Sequence, residues 1–573
     1  MKNWKIKKKK EDFLVSLLEK YDPAILGLLY ERGIAGEEAI EKYFGFDYAG
    51  CLGDPFKIVG MEKAVERIKS AKEKKEPVAI YGDYDADGVT ATAVLKEALM
   101  DVGFPEVICY FPDRQTEGYG LNEKALEHLK AQGVKLIITV DCGITNVVEV
   151  EKAKDWGMDI IITDHHHVPD ELPAAVALIN PNIPESGFEF KELAGVGVAF
   201  KLATALYERL AKKKSEQLKW ALDLVAIGTI ADCVPLLGEN RVLVKYGLLV
   251  LSKTRRVGLL EMFKVGRINI SEDNVPDAHT VAFQIAPRIN AAGRIDHASA
   301  SYNVLVGDDP VAARVLALEL EDKNQKRQKI TIEIFREVQV LANNSFKDRR
   351  FIFASNAHWP MGILGLVAGK ITEEFKKPSM ILQHQEGMFR GSLRSVPEVD
   401  LMEIIKRCAT LVEKFGGHSQ AAGVSVLPEN IEKFCAKMAA EVEKELEGKE
   451  IMSVIEIDSE ISAEDIGWEL VSGLKKMEPF GVGNREPIFC ARNFIIVDAK
   501  IVGNGQKHWK LTLRGENGSP KIFDAIGFSL VEKFPNLEKD VKIDIAFNLA
   551  EDEWNGNKKI QIKIIDLKLV ENS

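Results

Sequence analysis

From residue 77 to residue 170 short apolar runs alternate with helical patterns, and the apolar runs end on acidic residues or histidines. Strands are expected at 77–81, 107–111, 135–140 and 159–163, and helices at 89–102, 122–132 and 146–156. This alternation marks βαβ units and a parallel sheet. In such a sheet the residues just beyond the carboxyl ends of the strands share one rim, and ligands bind there. Asp83, Asp85 and Asp87 follow the first strand, Arg114 and Glu117 the second, Asp141 the third, Asp164 and His165 the fourth. Residues distant in sequence therefore converge on one site.

Carboxylates combined with one or two imidazoles suit hard or borderline divalent cations such as Mn²⁺ or Mg²⁺. A shared carboxylate can bridge two ions, and paired ions clamp the attacking and leaving oxygens of a phosphodiester. The run Asp83-Tyr84-Asp85-Ala86-Asp87-Gly88 partly imitates a calcium loop, but its twelfth position holds Val94, not glutamate. Aspartates also serve as turn formers and helix caps, and Asp87 stands where a cap would. Adjacent His165 and His166 point in different directions. One can hold metal while the other reaches substrate, stabilising phosphoryl oxygens or assisting proton transfer. His167 reads as a surface residue. Seven cysteines lack CxxC spacing, which supports neither a disulfide framework nor a zinc ribbon. Cys142 and Cys233, beside the acidic motifs, read as small core fillers.

The 573 residues fit three or four domains. A formal net charge of −11 argues against a broad basic face for duplex nucleic acid, though not against a narrow basic channel. No apolar run is long enough for a bilayer and no apolar signal core follows the basic N-terminus, so a cytoplasmic protein is expected. Residues 1–50 read as a helical region and 51–307 as the α/β domain just described. Within that domain, helices are expected at 197–212 and 216–230, with Asp232 just after the second. A long helix starting at Pro310 occupies 308–345, its charged stretch 319–329 bridging domains through solvent. A second α/β domain spans 346–450, and 451–573 carries the short alternating strands of a small barrel such as an OB-fold. There Lys507-His508-Trp509-Lys510 interleaves basic and aromatic residues and is a candidate single-strand patch, against the alternative of a barrel strand with a core tryptophan.

The runs Tyr81-Gly82-Asp83-Tyr84-Asp85-Ala86-Asp87-Gly88, Asp141-Cys142-Gly143-Ile144-Thr145-Asn146 and Asp164-His165-His166 resemble the successive motifs of the DHH phosphoesterase superfamily. The ordered set continues with Glu117-Gly118-Tyr119-Gly120-Leu121, Gly228-Thr229-Ile230-Ala231-Asp232, Arg288-Ile289-Asn290-Ala291-Ala292-Gly293-Arg294, Gly416-Gly417-His418 and Glu478-Pro479-Phe480-Gly481. The resemblance implies a DHH-type parallel-sheet domain, a connecting helix, a DHH-associated domain and an OB-fold. It implies that Asp85, Asp87, Asp141, His165 and Asp232 hold two Mn²⁺ or Mg²⁺ ions, with Asp141 bridging and Asp83 in or next to the ligand set. His166 would contact the scissile phosphate and act in catalysis with Asp141 and Arg288. Tyr119, Arg288, Asn290 and Arg294 would meet substrate phosphates. Arg114, Ser392 and Arg394 match a 5′-phosphate pocket, and Gly416, Gly417 and His418 a phosphate-facing glycine motif. Leu393 and the run Val396-Pro397-Glu398-Val399-Asp400 depart from the family pattern near that pocket.

The function so implied is 5′-to-3′ degradation of single-stranded DNA to mononucleotides, in repair and recombination. The expected partners are single-stranded DNA, a RecQ-type helicase and a single-strand-binding protein, with no membrane and a monomeric chain. The rival readings are a phosphodiesterase for short oligonucleotides or cyclic dinucleotides, which would not need residues 451–573, and a nonenzymatic DNA-binding scaffold, which would have lost its acidic and histidine ligands. A manganese pyrophosphatase would carry a histidine where Tyr81 stands.

Overall fold

The computed structural model describes residues 3–570 apart from 8–12, 14, 46, 115, 212–214, 386, 450–453, 504, 517–520 and 555–556. The chain forms two units. One comprises Tyr48–Ile451 with Gly481–Gly483, and the other Met1–Asp47, Met452–Phe480 and Asn484–Ser573.

The first unit opens with a five-stranded parallel sheet built from β1 (Val78–Gly82), β2 (Ile108–Tyr110), β3 (Leu136–Val140), β4 (Asp159–Thr163) and β5 (Ala177–Ile179), in the order β2-β1-β3-β4-β5. Every residue of β1 and β3 is buried, as helices on both faces of a parallel sheet require. The strand order reverses at β1 and β3, so the crevice beyond their carboxyl ends is the topological switch point. On one face α1 (Ala86–Asp101), α2 (Gly195–Leu210) and α3 (Leu222–Ala231) bury Leu95, Leu99, Val196, Leu202 and Leu224 in a common core. Each such side chain stabilises the fold by roughly 1.5–3 kcal/mol.

Helix α4 (Ala286–Ile295) leads to the long α5 (Pro310–Asn344), whose first turn is capped by Asp309 through the Val311 and Ala312 amides. Ala317 and Leu320 of α5 belong to the first core, while Ile334, Val338 and Ala342 belong to the core of the next domain. The helix is therefore a shared structural member, with its charged middle between two apolar ends. That next domain has strands β6 (Ile352–Ser355), β7 (Ser379–Gln385), β8 (Met388–Arg394), β9 (Lys414–His418) and β10 (Ala421–Val426), in the order β9-β10-β8-β7-β6, with α6 (Met361–Phe375) crossing between β6 and β7. Only the β6–β7 pair is parallel.

The second unit contains a closed barrel of β11 (Phe489–Val502), β12 (His508–Gly515), β13 (Ile522–Gly527), β14 (Lys542–Trp554) and β15 (Asn557–Leu569). The order is β11-β12-β13-β15-β14, and β14 pairs back with β11. Three local expectations change here. The N-terminal segment is not purely helical: strand Asn3–Ile6 pairs in parallel with Val454–Ile457, and Ile25, Leu26 and Leu29 share the core that holds Phe489 and Leu513. Trp509 is buried, with its Nε1 donating to the Phe534 carbonyl at 2.8 Å, so it serves the core and not a stacking patch. Cys233, in the first unit, is exposed and no core filler. Among the described residues no helix is long and apolar enough to cross a membrane.

Candidate metal centre

The loop after β1 supplies three aspartates with three different surroundings. Asp85 caps α1, accepting from the Asp87 and Gly88 amides at 2.9 and 3.1 Å. Asp87 does not cap its own helix. Its two oxygens accept from the Gly195 and Val196 amides at 2.6 and 2.8 Å, so it sits on the positive N-terminus of α2. Asp83 is buried and its Oδ1 has no hydrogen-bond partner. Asp141, at the end of β3, adopts left-handed backbone geometry, with φ 61°. Its carboxylate lies against Gly195, where a Cβ would come within 2.5 Å of Oδ1. The glycine thus makes room for the carboxylate.

His165 Nε2 lies 3.1 Å from Asp141 Oδ1 and 3.5 Å from Asp232 Oδ2. None of these three atoms makes a hydrogen bond. Burial and the neighbouring His166 push His165 down to about 4, so its imidazole is neutral at pH 7. Two carboxyl oxygens and the Nε2 of a neutral imidazole therefore converge without a hydrogen bond to any of them, an arrangement that suits a cation. The ligating atoms form three overlapping sets, each within 4.8 Å: Asp141, His165 and His166; Asp87, His165 and Asp232; Asp83, Asp85 and Asp141. Burial, then repulsion from Asp87 and Asp85, raises Asp141 well above the usual carboxylate range. The same causes hold Asp232 up at about 9, and burial with Asp85 holds Asp87 at about 7. Such a cluster needs positive charge to ionise fully. The donor set thus fits one or more divalent cations.

His166 has a different environment. Its Nδ1 lies 2.7 Å from Asp164 Oδ1 and 3.1 Å from the Tyr119 hydroxyl. Burial lowers its pKa, but the Asp164 hydrogen bond and charge outweigh it and hold it up at about 9. Asp164 is fully buried and also takes the Ile144, His165 and His166 amides. It therefore fixes the ring, with Nδ1 as the donor and Nε2 left free. Asn180 and Asn182 bind the His166 and His165 carbonyls. The roles of Asp164 and the two asparagines were not foreseen from sequence, although Asp164 carried a signal in its place directly before the histidines. His167 is exposed, as expected.

The arginines divide into two classes. Arg288 is committed: its Nε binds Glu321 at 2.7 Å and its Nη1 the Gln284 carbonyl. The structure thus holds it in an α4–α5 ion pair. Arg114 lies 4.9 Å over the Tyr84 ring and Arg294 Nη1 donates to the Gly362 carbonyl at 3.0 Å. Arg394 Nη1 donates to Ser392 Oγ at 2.6 Å and to the Leu393 carbonyl. Among the described residues none of these three pairs with a carboxylate. Burial, then Arg114 and Arg327, lowers Arg294 to about 10, and Asp85 partly offsets this. The arginines adjoin the aspartates through Tyr84, whose carbonyl meets Gly293 of α4, and through Asn290, which accepts from the Ala86 amide at 2.9 Å.

In the second domain Ser392 faces Gly423, which faces Gly416, and Arg394 faces Ala421, which faces His418. These rows point to one side of the sheet. Leu393, opposite Ala422 and Gly417, points to the other and is fully buried. The departure at Leu393 therefore lies in the core, on the face away from Ser392 and Arg394. Beside Ser392 and Arg394 stands Gly365 of α6, where a Cβ would come within 2.9 Å of Arg394 Nη2, and the start of that helix has no side-chain cap.

The chain matches the DHH family N-terminal domain over residues 77–229, the DHHA1 domain over 348–444 and the RecJ OB domain over 457–566. It is 37% identical to the single-stranded-DNA-specific exonuclease RecJ of Bacillus subtilis, over 99% of this chain and 71% of that one. It is 31% identical to the exonuclease of the same name from Escherichia coli, with 98% of each chain covered. The crystal structure of RecJ from Thermus thermophilus in complex with Mn²⁺ is similar at a TM-score of 0.82 and 27% identity, covering 100% of this chain and 80% of that one. The complex of that protein with Mg²⁺ gives 0.76 at 25% identity, covering 100% and 79%.

Proposed function

The chain belongs to the RecJ family of single-stranded-DNA-specific exonucleases, and from that premise we propose that it degrades single-stranded DNA from the 5′ end to mononucleotides, using two Mn²⁺ or Mg²⁺ ions, in DNA repair and recombination. The observation that carries this reading is the pairing of two unsatisfied groups of opposite sign. Convergent lone pairs of Asp83, Asp141, His165 and Asp232 adjoin guanidinium groups of Arg114, Arg294 and Arg394 that lack carboxylate partners. A cation and a phosphate complete both at once.

Asp85, Asp87, Asp141, His165 and Asp232 would hold the ions, with Asp83 beside them. Asp141 belongs to two of the three donor sets, which suits a bridging carboxylate. When bound, the ions lower the pKa of water and offset charge on the phosphoryl oxygens. The protein's own groups do the rest. His165 stays neutral, with its Nε2 lone pair directed at the ions. Asp164 keeps Nδ1 of His166 protonated, so Nε2 is the end that meets the scissile phosphate, as a hydrogen-bond donor or proton carrier. The Tyr119 hydroxyl, which donates to the Asp141 carbonyl at 3.1 Å, lies against the same Nδ1 and helps to steady the ring.

Polarity follows from the end pocket. Arg114, Ser392, Arg394 and the uncapped start of α6 offer donors to a terminal phosphate, with Gly416 and His418 in the same cross-strand rows and Gly417 between them in sequence. A 5′-phosphate seated there would fix the register of the strand relative to the residues that would hold the ions. The groove between the two α/β domains accepts a single strand, and the barrel adds a binding surface on its second and third strands, where Phe528 is exposed against His508. Feeding such a groove calls for a RecQ-type helicase and a single-strand-binding protein, and the chain acts as a monomer. Digestion of 5′- and 3′-end-labelled single strands with Mn²⁺, Mg²⁺ or chelator tests the reading. Mononucleotide should appear at once from the 5′ label and last from the 3′ label, and none with chelator. Release from the 3′ end first, or chelator-resistant cleavage, refutes it.

A further inference from the structure

Arg327, on the middle of α5, belongs to no motif singled out in the sequence. Its Nε is buried and has no hydrogen-bond partner, while its Nη2 donates to Oδ1 of the buried Asn324 at 2.9 Å. No carboxylate pairs with it among the described residues, in a chain with 87 acidic residues. The same helix pair shows what a structural cation looks like here. Arg288 of α4 has Glu321, at 2.7 Å, and Lys323 of α5 has Asp296, at 2.8 Å. Those two ion pairs join α5 to α4 and the residue after it, and Arg327 follows Lys323 by one helical turn with no carboxylate paired to it among the described residues. Burying part of a guanidinium without a partner is costly, so a missing anion is the simplest explanation.

Its neighbours say where that anion lies. Arg294 feels Arg114, Arg327 and Arg394, whereas Arg327 feels Arg288. Arg294 is thus near Arg327 as well as near Arg114 and Arg394, and Arg327 is near Arg288. Several neighbouring cations without carboxylate partners among the described residues match the repeated charges of a strand better than one terminal group.

We propose that Arg327 grips an internal phosphodiester of the bound single strand, held in aim by Asn324, and sets strand affinity independently of the chemistry of the 5′ end. The proposal rests on the exonuclease reading above. It is tested by KM and kcat of the full chain on 5′-phosphorylated and 5′-hydroxyl oligonucleotides, at several salt concentrations, for Arg327→Gln, Arg327→Lys and Arg394→Gln. Arg327→Gln is expected to raise KM about ten- to a hundredfold for both ends alike, more than it lowers kcat. It should also reduce the slope of log affinity against log salt by about one. Arg327→Lys should restore the slope but only part of the affinity, since an ammonium lacks the fork. Arg394→Gln should act chiefly on the phosphorylated strand. Unchanged KM and slope in Arg327→Gln overturn the proposal. So does an effect confined to phosphorylated ends, or a fall in kcat with a lowered melting temperature and an intact slope. Failure of the wild-type chain to degrade single strands with metal refutes the exonuclease reading instead, which separates the two failures.

Discussion

Asp141 and the two histidines carry the sharpest expectations at the scale of single residues. Asp141 sits among like charges, so Asp141→Ala should reduce hydrolysis to background while the metal-free protein melts no lower than wild type. Melting curves and turnover on one preparation check both halves. His165→Ala should weaken metal affinity. His166→Ala should retain the ions but lower kcat by about 10²-fold or more. Equal metal loss in both variants, by titration, would falsify that division. The raised carboxyls also predict a pH trend. A carboxyl whose folded pKa exceeds its unfolded value binds more protons when folded, so it costs stability as pH rises through the interval between them. For Asp87, held up at about 7, that cost is complete near neutral pH, and for Asp232, held up at about 9, it goes on growing into the alkaline range. Bound cations remove it, so the rise in melting temperature on adding Mn²⁺ should be larger at alkaline than at mildly acidic pH. The opposite trend would show that the cluster is not the metal site.

At the scale of elements, the sheet of the second domain separates pocket from core by strand alternation. Ser392 and Arg394 share a face, and Leu393 takes the other, fully buried. Leu393→Ala should therefore cost about 2–5 kcal/mol of stability with the preference for 5′-phosphorylated strands intact. A lost preference at normal stability would place Leu393 in the pocket after all. Helix α6 approaches that pocket through Gly365, and the new Cβ of Gly365→Ala would press on Arg394 Nη2. Its expected effect is a weakened preference for phosphorylated ends without loss of metal-dependent cleavage, read from the ratio of kcat/KM for the two substrates.

At the scale of the whole molecule, the first and last parts of the chain fold as one unit. Trp4 is buried, donates from Nε1 to Asp566 at 2.9 Å and lies under the Lys568 ammonium. Trp4→Ala should destabilise that unit by about 3–5 kcal/mol. Thermal unfolding followed by hydrogen exchange should place the loss in residues 454–569, with the Tyr48–Ile451 unit protected as before. Loss of protection in the metal-bearing sheet instead would contradict the division into two units. The helix α5 acts at the same scale, since one end completes each α/β core and its middle carries Arg327.

The sequence alone determined where the parallel strands run, that acidic residues and histidines gather at their carboxyl ends, and that a long helix separates two α/β domains. Those features are local: apolar periodicity encodes a segment's own burial, and parallel-sheet geometry then places strand ends together. Partners are not local. Nothing near Asp87 indicates that its oxygens meet the amides of α2, more than a hundred residues on. Nothing near Arg288 foretells Glu321, and nothing in the alternation around Trp509 tells an inward ring from an outward one until the barrel closes. The same holds for the strand Asn3–Ile6, which pairs with a segment at the far end of the chain. Arg327 is the limiting case. In sequence it is one cation among many on a charged helix, and only the packing of α4 on α5 shows that Arg288 and Lys323 beside it each have an acid while this one has none.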